Sequence, residues 1–236
     1  MNELLQIQNL SSGYNGKTVL QDISFSVKKG EAVAIIGQNG SGKTTLLRTI
    51  ARIIQDNSGS IIFDNMNLNN KNTWDLKHLG ISWFVQGGMV FPTLKVSEHF
   101  ELALKSKSKA EAAAIKDECL SHFPSLANCM NKLGGNLSGG LRQQVSFAML
   151  LAQQTHCWLM DEATAGLAPE AVKEAVDFLK KMKQDMSKTM IFVEHNYQVA
   201  FELADYVAII KEGKLVDSFS KTEFLNPDFL NTHLYN

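Results

Sequence analysis

No stretch of this sequence stays apolar for long. The longest runs, such as Ala32–Ile36 and Met190–Val193, are far too short to cross a bilayer. The opening residues, MNELLQIQNL, lack the basic start and apolar core of a secretion signal. Together these absences predict a cytosolic protein that would work on a membrane only by docking to it. An excess of one charge is missing as well. Twenty-three Lys and Arg stand against 24 Asp and Glu, a formal net charge of −1, so nucleic acid is not expected as the main partner. Cysteine is scarce: Cys119, Cys129 and Cys157 have neither metal nor redox spacing and are expected as reduced thiols. Cys157 falls in an apolar strand and reads as a small core residue. His78, His99, His122, His156 and His233 form no ligand pattern, and the scattered methionines read as core filler or surface. There is no internal repeat and no long low-complexity linker.

What is present is ordinary in bulk and specific in detail. A chain of 236 residues, 44% hydrophobic and 20% charged, can build one α/β domain with a small appended subdomain. Within it, Gly37–Thr44 reads GQNGSGKT and fits G-x-x-x-x-G-K-[ST] at every fixed position. Gly37, Gly40 and Gly42 let the backbone turn tightly and aim N–H groups at a polyphosphate. Gln38, Asn39, Ser41 and Thr45 complete the loop and open the helix behind it. Lys43 can reach the terminal phosphates, and the Thr44 hydroxyl can hold Mg²⁺. The buried strand Glu31–Ile36 before the loop and the helix Thr44–Ile54 after it place the phosphates at a helix N-terminus, where unpaired N–H groups favour negative charge.

Strand-like segments LLQIQNL, TVLQDISFSV and EAVAII occupy residues 3–36, with turns expected at Ser11–Gly16 and Lys28–Gly30. Gly59–Asp64 and Gly80–Val85 read as two more strands, with an Asn-rich loop over Asn65–Asn72. From about Val96 to Met130 the pattern turns helical, with Lys109–Phe123 rich in good helix formers and broken by Pro124. This block looks like an inserted helical subdomain. Beyond it, helices Gly139–Ala152 and Pro169–Met186 alternate with strands His156–Met160 and Thr189–Val193. A short helix then reaches Ala204, a strand spans Tyr206–Ile210, and Glu212-Gly213 turns into a strand Lys214–Phe219. Such alternation implies a largely parallel sheet covered on both faces.

Cys157–Glu162 reads CWLMDE, four apolar residues followed by two carboxylates. A buried strand ending in an acid puts that acid at the C-terminal edge of the sheet, where α/β proteins bind ligands. Asp161 is the candidate for Mg²⁺, directly or through water, and Glu162 for polarising an attacking water.

Leu137–Gly140 reads LSGG and precedes that strand by about twenty residues. In order with the phosphate loop and the apolar-Asp-Glu strand, it resembles the ATP-binding-cassette ATPases over nearly the whole chain, from Leu4 to about Phe219. The resemblance implies an α/β fold: a P-loop NTPase core with a mostly parallel sheet, an N-terminal antiparallel β-subdomain and an inserted helical subdomain. Residues 1–86 and 139–236 would form the nucleotide-binding core and about 87–138 the helical part. It implies ATP and Mg²⁺, with Tyr14 stacking on adenine, Gln86 sensing the metal and the attacking water, and His195 contacting the γ-phosphate. It also implies that Ser138, Gly139 and Gly140 close over ATP held by a second ATPase subunit, identical or different. Membrane-spanning transporter subunits would be further partners, docked in a groove between the Gln86 loop and the Val96–Met130 helices, on the cytoplasmic face of the membrane.

Three positions depart from the family's habit. Val85 and Ala163 stand where proline is common, and Ala165-Gly166-Leu167-Ala168 replaces a segment that often ends in Asp. ATAGLAPE and GMVFPTLKVSEH are similar to the corresponding segments of ATPases that power branched-chain amino-acid importers. The catalytic motifs are equally compatible with an ATPase of a soluble assembly, such as an iron–sulfur cluster scaffold, or with a nucleotide-gated module of weak turnover.

Overall fold

The computed structural model describes residues 3–224. His233 lies outside them. Two strands open the chain, β1 (Glu3–Tyr14) and β2 (Lys17–Lys28), followed by β3 (Ala32–Ile36) and helix α1 (Lys43–Ile50). Then come β4 (Asp56–Phe63), the two-residue β5 (Met66–Asn67), α2 (Thr73–Leu79) and β6 (Ile81–Phe84). Helices α3 (Val96–Leu104) and α4 (Lys109–His122) precede two short 3₁₀ turns, and α5 spans Gly139–Ala152. The remainder is β7 (Cys157–Asp161), α6 (Pro169–Met186), β8 (Thr189–Val193), α7 (Tyr197–Leu203), β9 (Tyr206–Lys211), β10 (Lys214–Ser220) and α8 (Lys221–Phe224).

β2, β1, β4 and β5 form an antiparallel sheet in that order. The second sheet runs β10-β9-β3-β8-β7-β6, parallel throughout except where β10 returns against β9. Its central strands β3, β7 and β8 are buried at every position, as expected of a sheet covered on both faces. Alternation along β3 divides the core in two. Val33 and Ile35 face α1 and the antiparallel sheet, together with Leu159, Ile191 and Val193. Ala32, Ala34 and Ile36 face α5, α6 and α7, together with Trp158, Met160 and Phe192. An aromatic chain anchors the helices to that second face. Phe178 of α6 lies 4.7 Å from Phe123, 5.1 Å from Phe147 of α5 and 6.2 Å from Trp158 of β7. The helices of residues 96–122 therefore pack into the same apolar layer as α5 and α6.

Several boundaries differ from the sequence expectations. β1 continues through Ser11–Tyr14, and only Asn15-Gly16 turns. Ser12 is buried there because its hydroxyl meets Thr49 Oγ1 of α1 at 2.7 Å. α1 stops at Ile50 instead of Ile54, where Arg52 adopts a left-handed backbone. β4 starts at Asp56, before Gly59, because β1 offers it a pairing edge as far as Ser12. The Asn-rich stretch contains β5, and α2 follows it unannounced by apolar periodicity, since Leu76 is its one buried residue. Pro124 does end α4, and it then opens a 3₁₀ turn.

Candidate functional site

Four parallel strands deliver the site. β3, β6, β7 and β8 run in one direction, so the residues following their C-terminal ends share one edge of the sheet. The glycine-rich loop follows β3, Gln86 lies just past β6, Asp161 ends β7 with Glu162 directly after it, and Glu194-His195 follow β8. Residues scattered from Gly37 to His195 meet there because the parallel topology leaves them no other place.

The loop has little room for anything but glycine at two positions. A Cβ on Gly37 would lie 2.1 Å from the Ile210 carbonyl oxygen. Gly42, at φ 110°, precedes the first residue of α1, and a Cβ there would lie 2.8 Å from Leu20 Cδ2. The β9–β10 turn buttresses the same loop from below, with Gly213 N donating to Ser41 O at 2.9 Å. Lys43 Nζ donates to Gly37 O and Gln38 O, both at 2.9 Å, and so points along the inside of the loop. Burial pushes the Lys43 pKa down, opposed by the negative charges of Glu162 and Asp161. Thr44 Oγ1 donates to Asp161 Oδ1 at 3.1 Å. Burial pushes the Asp161 carboxyl up, and the Thr44 hydrogen bond works against it.

Glu162 is the hub of the second half. Its backbone is left-handed, φ 51°, an uncommon setting for a side chain of this size. The carboxylate accepts from Gln86 Nε2 at 2.7 Å through Oε2, and His195 Nε2 lies 2.6 Å from Oε1. Asn39, Gly40, Gly42, Lys43, Thr44, Glu162 and His195 line a common cavity of about 190 Å³. Thr45 is buried behind it in α1, and Ser41 is buried within the loop. Tyr14, 41% exposed, stands at the end of β1, next to the turn into β2. The β2 residues Val19 and Leu20 adjoin Gly42, so this hairpin flanks the loop.

Ser138, Gly139 and Gly140 lie elsewhere. They start α5, where Ser138 Oγ accepts from Leu141 N at 3.3 Å, and none of them lines the cavity. Within one chain the structure thus joins the loop, Gln86, Asp161, Glu162 and His195, and leaves the α5 tip outside the cavity they form.

Two contributors escaped the sequence reading. Glu194, 4% exposed, accepts from Thr164 N and Thr164 Oγ1, each at 3.1 Å. Its burial raises the carboxyl pKa to about 7. Gln143 of α5 donates through Nε2 to the carbonyl of Ala163, the residue after Glu162. Met190-Ile191-Phe192-Val193-Glu194 repeats the apolar-run-then-acid pattern of β7, a signal that could have marked Glu194. Gln143 had no signal, because its partner is twenty residues away and is a backbone carbonyl.

The geometry agrees with comparisons across known proteins. The ABC transporter family model matches residues 20–165. The chain is 31% identical over 222 residues to the "Probable branched-chain amino acid transport ATP-binding protein LivF" of Archaeoglobus fulgidus, covering 94% of each. It is 32% identical over 227 residues to the glutamate/aspartate import ATP-binding protein GltL of Escherichia coli K12, covering 94% of this chain and 93% of that one. Among solved structures it is similar to cbiO1 from Clostridium perfringens, part of the ABC transporter complex cbiONQ. That match has a TM-score of 0.85 and 25% identity and covers 100% of this chain and 97% of the other. It is also similar to the ATP-binding cassette MJ0796, solved as a dimer in a post-hydrolysis state bound to ADP and Pi. That match has a TM-score of 0.82 and 26% identity and covers 92% and 98%. A glycine loop, a paired Asp-Glu strand end and a whole-length match to cassette ATPases together place this chain in the ABC transporter family, as an ATP-hydrolysing transporter subunit.

Proposed function

We propose that this subunit hydrolyses ATP, with Mg²⁺, to drive uptake of an amino acid through separate membrane-spanning subunits. The substrate class rests on likeness: several similar relatives are named for branched-chain amino acids, glutamate/aspartate and L-cystine, and others for spermidine/putrescine. The chemistry rests on one observation: Glu162 held between Gln86 and His195 at the mouth of the cavity that Lys43 and Thr44 line.

The residues present suit the nucleotide. Side chains are excluded at Gly37 and Gly42, so backbone N–H groups can approach the phosphates, and the buried Lys43 ammonium supplies a positive charge among them. Thr44 and Asp161 offer a hydroxyl and a carboxylate side by side, the hard oxygen donors a magnesium ion takes. Bound there, Mg²⁺ would neutralise charge on the phosphate oxygens. Tyr14 packs against the adenine. Glu162 accepts a proton from water as its oxygen bonds to the γ-phosphorus, the bond to the β-phosphate oxygen breaks, and ADP and phosphate leave. Gln86 donates to one carboxylate oxygen and His195 adjoins the other, so the base is oriented before water arrives. His195 then contacts the γ-phosphate.

Ser138, Gly139 and Gly140 supply a helix tip that takes no part in the chain's own cavity, which suits them to close on ATP held by a second copy or a related chain. Gln143, in the same helix, holds the Ala163 carbonyl, so a phosphate gripped by the tip would be felt next to Glu162 on its own chain. Residues 87–138 act as the helical subdomain, and its groove beside the Gln86 loop receives the membrane subunits. No helix among the described residues is long and apolar enough to cross a membrane. In this reading the subunit docks to its membrane partners at the cytoplasmic face. Ala168 leaves α6 without a side-chain cap, and Pro169 starts the helix instead.

The test is Glu162→Gln. The variant should bind Mg-ATP, hydrolyse it about 10²–10⁴-fold more slowly, and accumulate as a dimer on sizing. Normal turnover by this variant would remove Glu162 from the reaction.

A further inference from the structure

A second cavity, of about 570 Å³, lies at the opposite edge of the six-stranded sheet. It opens where β6 and β7 begin, between the end of α2 and the segment joining α3 to α4. Lys77, His78, Lys107, Gln153, Gln154 and His156 line it, and no carboxylate is among the described residues that do. His156 directly precedes β7, so Asp161 at the far end of that strand is about 16 Å away at about 3.3 Å per residue. The nucleotide site and this cavity are distinct.

The fold fixes two of these groups. Thr155 Oγ1 donates to Ser82 Oγ at 2.7 Å, and Ser82 Oγ donates to Gln153 Oε1 at 2.8 Å. That relay occupies the carboxamide oxygen of Gln153, so its amide nitrogen is the end left for a ligand. The His156 ring stacks on Phe63, with centroids 5.5 Å apart, and fills the space a side chain at position 80 would need. A Cβ on Gly80, where φ is 93°, would lie 2.1 Å from His156 Cε1. Burial pushes the His156 pKa down, with Lys29 and Lys188 acting in the same direction and Asp64 against them. Lys77, His78 and Lys107 add further positive or protonatable groups from α2 and the α3–α4 segment. Cationic and amide donors thus outnumber carboxylates among the described residues lining this cavity.

We propose that this cavity binds a small, multiply charged anion carrying phosphate groups. Two ammonium groups, two imidazoles and two carboxamides around one space, without an acid among the described lining residues, create the potential and the donors such a ligand takes. The volume falls in the range of small-molecule sites. Lys77 and His78 approach from the core side, and Ser106 and Lys107 from the helical side, so the ligand ties the α3–α4 segment to α2. The inference is independent of the transport reading.

Inorganic pyrophosphate is the probe, titrated by calorimetry into the full chain carrying Lys43→Ala to suppress binding at the glycine loop. One pyrophosphate per chain should still bind, and adding Lys77→Gln and Lys107→Gln should weaken it at least tenfold. In the Lys43→Ala protein, the His156 Cε1–H resonance should titrate at higher pH when pyrophosphate is present, a readout that does not depend on the lysine variants folding well. Unchanged affinity in the triple variant, or a His156 titration that pyrophosphate does not move, would overturn the site. Binding to phosphatidylglycerol vesicles that needs both lysines, and that pyrophosphate fails to displace, would also overturn it by assigning the cavity to a lipid headgroup.

Discussion

Replacing Glu194 by glutamine should stabilise this protein at pH 8 and leave its stability at pH 4 unchanged. Glu194 is 4% exposed, and burial raises its carboxyl pKa from the ordinary 4.5 to about 7. Well below pH 4.5 the group is protonated whether the chain is folded or not. As pH rises, the unfolded chain gives up this proton first, so the native state binds more protons and stability falls. The fall ends near pH 7, once the native carboxyl has ionised too. The span of 7 − 4.5 = 2.5 pH units corresponds to at most about 3 kcal/mol at about 1.36 kcal/mol per unit. Glutamine keeps an oxygen that can accept from Thr164 N and Thr164 Oγ1, so the hydrogen bonds survive while the charge does not. For a chain of this length the gain at pH 8 is at most roughly 6–12 °C in Tm. The assay is thermal unfolding of both proteins from pH 4 to pH 8, followed as the difference between them. Other groups, including His122 and His156 with their lowered pKa values, cancel in that difference. If the two curves run parallel across the range, the buried carboxyl does not carry the proton assigned to it.

Two further outcomes follow from the glycine loop. If Lys43 holds phosphate as proposed, Lys43→Ala removes charge-assisted hydrogen bonds worth about 1.5–3 kcal/mol each, so ATP affinity should drop at least about tenfold by calorimetry. An unchanged affinity would detach Lys43 from the nucleotide. Gly42→Ala places its Cβ against the movable end of Leu20, whereas Gly37→Ala drives one into the Ile210 backbone carbonyl. Both should lower Tm, Gly42→Ala by the roughly 1–2 kcal/mol of a left-handed alanine and Gly37→Ala by more; the reverse order in thermal melts would contradict the loop geometry.

Sequence alone determined the chemistry of this protein wherever the chemistry is local. The loop Gly37–Thr44 carries its strand, its turn and its helix within twenty residues, and CWLMDE carries an acid on the end of a buried strand. Continuous apolar runs placed the central strands and helical patterning the long helices, because burial on both faces or on one face writes itself into the order of apolar residues. Tertiary structure decided what depends on distant partners. Ser11–Tyr14 is strand because Ser12 has Thr49 to bond and β4 to pair with, and α2 forms with one buried leucine. The grip of Gln86 and His195 on Glu162 spans 76 and 33 residues, Gln143 finds a backbone oxygen, and Glu194 acquires its raised pKa from burial, against the hydrogen bonds of Thr164. Hydrogen bonds and desolvation of this kind exist only once the parallel strands have aligned their ends, and no short window of sequence contains them.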